Sequence, residues 1–72
     1  MNRTQTLAVL HEILDALGES IIVNWVSVDS SEIKMRCDFN EGTWERVNPI
    51  LQKNGLSLKI ANGHVVIYEP TN

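Results

Sequence analysis

The chain has 72 residues, a formal net charge of −3, and a hydrophobic content of 43% with 21% charged residues. This composition is typical of an ordinary globular protein, and the length predicts one small domain over residues 1–72. A single cysteine excludes an internal disulfide framework. The basic residues are scattered along the chain, which disfavours nucleic acid as a partner. No apolar run is long enough for direct membrane insertion.

The N-terminal part of the chain predicts a helix followed by a strand. Leucine and isoleucine recur at helical spacing from Thr4 to Leu17, which indicates an amphipathic helix, and Gly18 is a natural stop for it. Either Asn2 or Thr4 could cap the start of this helix. The β-branched and aromatic residues from Ile21 to Val28 then favour a strand.

This first strand has an irregular alternation of apolar residues. Ile21, Val23 and Trp25 share one face, whereas Val26 and Val28 belong to the other. Either both faces are covered, or a bulge near Trp25 shifts the phase of the strand. Whichever of these faces packs against the helices, the other leaves apolar surface without cover in a monomer, and such a patch usually marks a partner site.

The middle of the chain predicts a second strand and a second helix. After the turn cluster Asp29-Ser30-Ser31, the segment "EIKMRCDF" alternates between apolar residues facing inward and charged residues facing outward. Thr43 then heads a helix that Asn54-Gly55 closes. Because proline lacks a backbone N–H group, Pro49 predicts a kink or a late start to the regular part of this helix.

The C-terminal part predicts a hairpin around Asn62-Gly63, with strands from Leu56 to Ile60 and from Val65 to Glu69, and this hairpin could be only part-formed. The order α-β-β-α-β(-β) predicts an α+β two-layer sandwich, with two helices on one face of a sheet of three or four strands. A small open sheet also leaves strand edges that other chains can extend.

Residues 33 to 70, "IKMRCDFNEGTWERVNPILQKNGLSLKIANGHVVIYEP", resemble the short N-terminal domain shared by secretins and TonB-dependent signalling receptors. In that family a strand leads to a helix that opens near a tryptophan, the helix ends in a Leu-x-x-x-Gly-Leu closure, and a hairpin with a Gly-containing turn ends in an apolar strand and a proline. The residues that fit this outline are Trp44, Leu51, Gly55, Leu56, Gly63, Val66, Ile67 and Pro70.

The element order is also similar to that of the periplasmic ferredoxin-like domains of platform proteins in type II secretion and type IV pilus systems. Both resemblances imply an assembly or docking domain of a bacterial envelope secretion, pilus or receptor system. They imply no catalytic activity.

Candidate catalytic residues are few. Cys37 lies on the apolar face of its strand and is expected to be a buried structural thiol, because reactive thiols need an electropositive and accessible setting. His11 falls on the polar face of the first helix and His64 follows the hairpin turn, so both are expected in solvent. No catalytic or metal-binding motif occurs, and we expect neither an enzyme nor a cofactor.

The sequence therefore predicts a non-enzymatic module that binds a protein partner or forms a homo-oligomer. Its contact surface is predicted at a sheet edge and around the first strand, with Trp25, Val26, Val28 and Tyr68 as the contact residues. A fragment of an envelope protein would lie in the periplasm. The alternative is a free-standing cytoplasmic adaptor or inhibitor, of phage or mobile-element type, that binds a host protein; the net acidity and the lack of a signal peptide favour it.

Overall fold

The structure is a computed structural model that describes residues 2–29 and 31–70. Its elements are α1 (Arg3–Leu17), β1 (Val23–Val28), β2 (Glu32–Cys37), α2 (Glu41–Asn54), β3 (Ser57–Ala61) and β4 (His64–Tyr68). The predicted α+β class and element order are confirmed, and the last strand is fully formed. The middle residue of the turn cluster predicted at 29–31, Ser30, lies outside the described residues.

The four strands form one antiparallel sheet in the order β1-β2-β4-β3. After β3 the chain reverses at Asn62 and Gly63, whose φ angles of 54° and 75° are both positive, as a tight hairpin with right-handed strand twist requires. The reversal places β4 between β3 and β2, so that β1 and β3 are the two edges of the sheet.

The core lies between the two helices and one face of the sheet. Residues spaced three and four apart on each helix and two apart on β2 and β4 point into it, as the helical and strand periods require. Its buried members include Val9, Ile13 and Leu17 from α1, Val47 and Leu51 from α2, Ile33 and Met35 from β2, and Val65 and Ile67 from β4. Neither α1 nor α2 packs against the opposite face of the sheet.

Both helices have well-defined N-terminal caps. Asn2 caps α1, since its Oδ1 accepts a hydrogen bond of 2.8 Å from the Gln5 N–H group. Asn40 caps α2 in a reciprocal box with Thr43, so Thr43 is the third helical residue and the predicted start of the helix at that position is wrong.

The helix α2 runs through Pro49 from Glu41 to Asn54. The regular helix therefore begins well before the proline, and the late start that Pro49 suggested is also wrong. The cap at its N-terminus and the buried side chains of Val47 and Leu51, on either side of the proline, hold the helix together across it.

Candidate binding face

A β-bulge in β1 determines which of its side chains face the core. Val23 is paired with Cys37 and Trp25 with Arg36, so β1 advances two residues while β2 advances one. The bulge expected near Trp25 is confirmed. It places Val23, Val26 and Val28 on the helix-covered face, where they are half-buried against the core, and leaves Trp25 on the opposite face.

We call the sheet surface opposite the helices the open face. Cross-strand pairing arranges its side chains in three rows that run perpendicular to the strands. The first row contains Trp25, Arg36, His64 and Ala61, the second Ser27, Lys34, Val66 and Lys59, and the third Glu32, Tyr68 and Ser57.

Trp25 is the largest side chain exposed on the open face, with 44% of its surface accessible. Its ring lies against that of His64, with the ring centroids 5.0 Å apart and the planes inclined at 59°. The Arg36 Nη2 atom lies 3.2 Å from His64 Nε2, which also restrains the imidazole. His64 is therefore half-buried in a side-chain cluster, and the expectation that it lies free in solvent is wrong.

The open face contains a shallow groove with a volume of about 380 Å³. Val66 forms its floor and is only 4% exposed, because side chains from the neighbouring strands rise around it. Lys34 and Lys59 flank Val66 on the two adjacent strands, and Trp25 and His64 close one end. The groove thus combines an apolar floor with aromatic and cationic walls.

The open face is cationic although the whole chain is acidic. The four strands, all of whose residues the structure describes, contain three basic residues, Lys34, Arg36 and Lys59, and one acidic residue, Glu32. The Lys34 Nζ atom lies 3.2 Å from the Glu32 carboxylate, and the Lys59 Nζ atom lies 4.9 Å from the centre of the Tyr68 ring. The remaining eight acidic and three basic residues lie outside the strands, in a chain whose formal net charge is −3.

The four residues predicted from sequence as one contact surface lie on two faces. Trp25 and Tyr68 both reach the open face, in its first and third rows. Val26 and Val28 lie on the covered face at the β1 edge, because the bulge changes the phase of the strand between Val23 and Trp25.

Four other residues of the groove, Lys34, Lys59, His64 and Val66, were not expected at a site. For Lys59, His64 and Val66 the signal that could have identified them was the Asn62-Gly63 turn, whereas Lys34 joins them through the pairing of β2 with β4. A two-residue hairpin turn at this position fixes the register of the strands and pairs Lys59 with Val66 and Ala61 with His64.

Of the residues considered for catalysis, His64 lines the groove, whereas Cys37 and His11 lie apart from it. Burial raises the pKa of the Cys37 thiol, and the nearby Asp38 carboxylate raises it further, which is the opposite of what an activated nucleophile needs. Cys37 is half-buried against the core and His11 is exposed on α1. Within residues 2–29 and 31–70, no group of three or more His, Cys, Asp or Glu side chains is placed to hold a metal ion.

Comparison of the chain with protein-family models, with curated proteins and with solved structures gave no match. In the part of the chain that the structure describes, neither helix has the length and apolar character needed to cross a membrane.

Proposed function

We propose that this protein is a non-enzymatic protein-binding module that contacts its partner through the open face of the sheet. The observation that carries the proposal is the setting of Trp25, which is 44% exposed yet held by the β1 bulge and by the ring of His64. A large aromatic side chain that is already held in place loses little conformational freedom when a partner covers it, and such residues dominate the energetics of protein interfaces.

The layer arrangement supports the same function. The two helices cover one face of the sheet and leave the other to solvent, so a partner can add a third layer without moving any element of the fold. The groove beside Trp25 offers this partner a concave surface with an apolar floor at Val66. Burial of the indole and of the apolar parts of the groove would supply the favourable free energy of association.

A site-specific photocrosslinking experiment in the source cells tests the use of this face. A photoreactive amino acid at Ser27, which is exposed beside Trp25, should form discrete adducts with a partner protein. The same amino acid at Gln52, which is exposed on α2, serves as the control and should form none. Adducts at position 52 together with none at position 27 would assign binding to the helical layer and refute the proposal.

The resemblance to the secretin and TonB-receptor domain suggests the identity of the partner. On this basis the partner is another component of a bacterial envelope secretion, pilus or receptor assembly, or a second copy of the same chain. The second candidate is a cytoplasmic adaptor or inhibitor that binds a host protein, and the formal net charge of −3 favours it.

Fractionation of the source cells distinguishes these two contexts. An immunoblot band well above 8.1 kDa in the envelope fraction would support the assembly domain. A soluble cytoplasmic band at about 8.1 kDa would support the adaptor and reject the envelope context.

A further inference from the structure

The central row of the open face places an apolar side chain between two cations. Val66 is paired with Lys34 on one neighbouring strand and with Lys59 on the other, and Val66 is nearly inaccessible at the base of the groove. Resting on the protein-binding function proposed above, we infer that this groove binds an extended acidic segment of the partner, in which an apolar side chain lies between two carboxylates.

Charge complementarity is the first argument for this occupant. The strands contribute three cations and one carboxylate to the open face, while the rest of the chain is strongly acidic. An acidic segment would therefore be attracted to the open face and repelled by the remaining surface, which favours one orientation of encounter.

The present contacts of the two lysines leave them able to bind a carboxylate. The ion pair between Lys34 and Glu32 is partly exposed, and exposed pairs of this kind contribute little to stability, so a carboxylate of the partner can replace Glu32. The ammonium group of Lys59 lies over the Tyr68 ring, which leaves its N–H donors available on the side away from the ring.

The dimensions of the groove fit an extended chain. Lys34 and Lys59 lie two strand spacings apart, which places their backbones about 10 Å from each other. In an extended segment residues i, i+2 and i+4 project to the same side, and the first and last of them are separated by about 13 Å. The lysine side chains are flexible and can cover the difference between these two distances. The side chain at i+2 of the bound segment then lies above Val66.

The alternative occupant, a single-stranded nucleic acid, fits the open face less well. Such ligands stack successive bases on neighbouring aromatic side chains. On the open face Trp25 and Tyr68 lie in the first and third rows, and the row that contains Val66 separates them.

A peptide-binding experiment with the full chain tests the inference. The probe is a dye-labelled, end-blocked peptide of sequence Ser-Glu-Ser-Leu-Ser-Glu-Ser, and its binding is followed by fluorescence polarisation. Two comparison peptides replace both glutamates with lysine or the leucine with serine. We expect saturable binding of the acidic peptide below ~1 mM, and binding at least about fivefold weaker for each comparison peptide.

Matched charge reversals locate the binding. Lys59→Glu changes a lysine of the groove, whereas Lys53→Glu makes the same change on α2, where Lys53 pairs with Glu12 at 2.6 Å. We expect Lys59→Glu to weaken binding of the acidic peptide about tenfold and Lys53→Glu to change it less than about twofold. Circular dichroism of both variants checks that the fold is retained.

The other outcomes overturn the inference in distinguishable ways. The acidic occupant is refuted if the acidic peptide shows no binding at concentrations up to ~1 mM, or if it binds equally well to both charge-reversal variants. Crosslinks at position 27 would then still support the protein-binding function. If a labelled oligouridylate binds through Lys59 and the acidic peptide does not, the ligand is a nucleic acid and both proposals fail.

Discussion

The indole of Trp25 and the imidazole of His64 lie in contact above the strand β2, which separates their own strands, at a centroid separation of 5.0 Å. These residues belong to β1 and β4, with Arg36 of β2 between them in the same row. The contact restrains an exposed tryptophan in the position from which it closes one end of the groove.

Removal of the imidazole should therefore release Trp25. In a Trp44→Phe background, which leaves Trp25 as the one tryptophan, His64→Ala should accelerate the nanosecond decay of tryptophan fluorescence anisotropy. His11→Ala, on the exposed surface of α1, should leave the decay as it is. An unchanged decay in the His64 variant would show that the bulge alone positions the indole.

Substitutions at Trp25 and Val26 should change the free energy of unfolding by different amounts, although the two residues are adjacent, because they lie on opposite faces of the sheet. Trp25→Ala removes a partly exposed side chain and should change the free energy of unfolding by no more than about 1 kcal/mol. Val26→Asp places an unpaired carboxylate against the core and should cost about 2 kcal/mol or more.

Urea unfolding followed by circular dichroism measures both changes. Ser27→Asp introduces the same carboxylate on the exposed side of the strand and serves as the matched control, with an expected change within about 0.5 kcal/mol. Equal costs for the aspartates at positions 26 and 27 would contradict the orientation that the bulge gives to β1.

The turn after β1 should contribute to stability in a pH-dependent way. The Asp29 Oδ1 atom accepts hydrogen bonds from the Ser31 N–H group at 2.7 Å, from the Glu32 N–H group at 2.8 Å and from the Ser31 hydroxyl at 2.9 Å. These hydrogen bonds, the one from the Ser31 N–H first among them, hold the pKa of Asp29 below its ordinary value of 3.8.

Because the pKa is lower in the folded state, the contribution of Asp29 is present above pH 3.8 and is lost as the pH falls through the lowered value. Asp29→Asn keeps an oxygen acceptor but removes the charge, so its unfolding midpoint should depend less steeply on pH below pH 3.8. A carboxyl NMR titration should also show a higher pKa for Asp29 in Ser31→Ala, whereas Ser27→Ala should not alter it.

Cys37 should react slowly with alkylating reagents. Burial raises the pKa of its thiol and thereby lowers the fraction of reactive thiolate at neutral pH. Alkylation by iodoacetamide, followed by mass spectrometry, should be several-fold slower in the folded chain than in the urea-unfolded chain. Asp38→Asn removes the second cause of the raised pKa and should accelerate alkylation of Cys37 in the folded chain. Equal rates of alkylation in the folded and unfolded chains would contradict this account.

The elements of the fold follow closely from local sequence patterns, whereas the arrangement of the site does not. The apolar period of α1, the alternation in β2 and the Asn62-Gly63 turn each predict the observed element, because local backbone preferences and burial agree there. The start of α2 was missed, since Asn40 caps it three residues before the Thr43 that pattern alone suggests.

The open face was harder to predict because it depends on pairing between distant segments. The alternation in β1 is compatible with more than one phase, and only its pairing with β2 shows which side Trp25 occupies. Val66 resembles its apolar neighbours Val65 and Ile67 in sequence, yet the pleat turns it toward the groove while they enter the core.

The strand order has a consequence for the way the chain acquires its fold during synthesis. The hairpin of β1 and β2 has no backbone pairing with β3, and β4 joins them by pairing with both. A nascent chain that ends before His64 therefore holds the β1-β2 hairpin and a β3 segment without its partner strand, and the core lacks Val65 and Ile67. The sheet can therefore become continuous only after residues 64–68 have left the ribosome, since β4 is the strand that pairs with both β2 and β3.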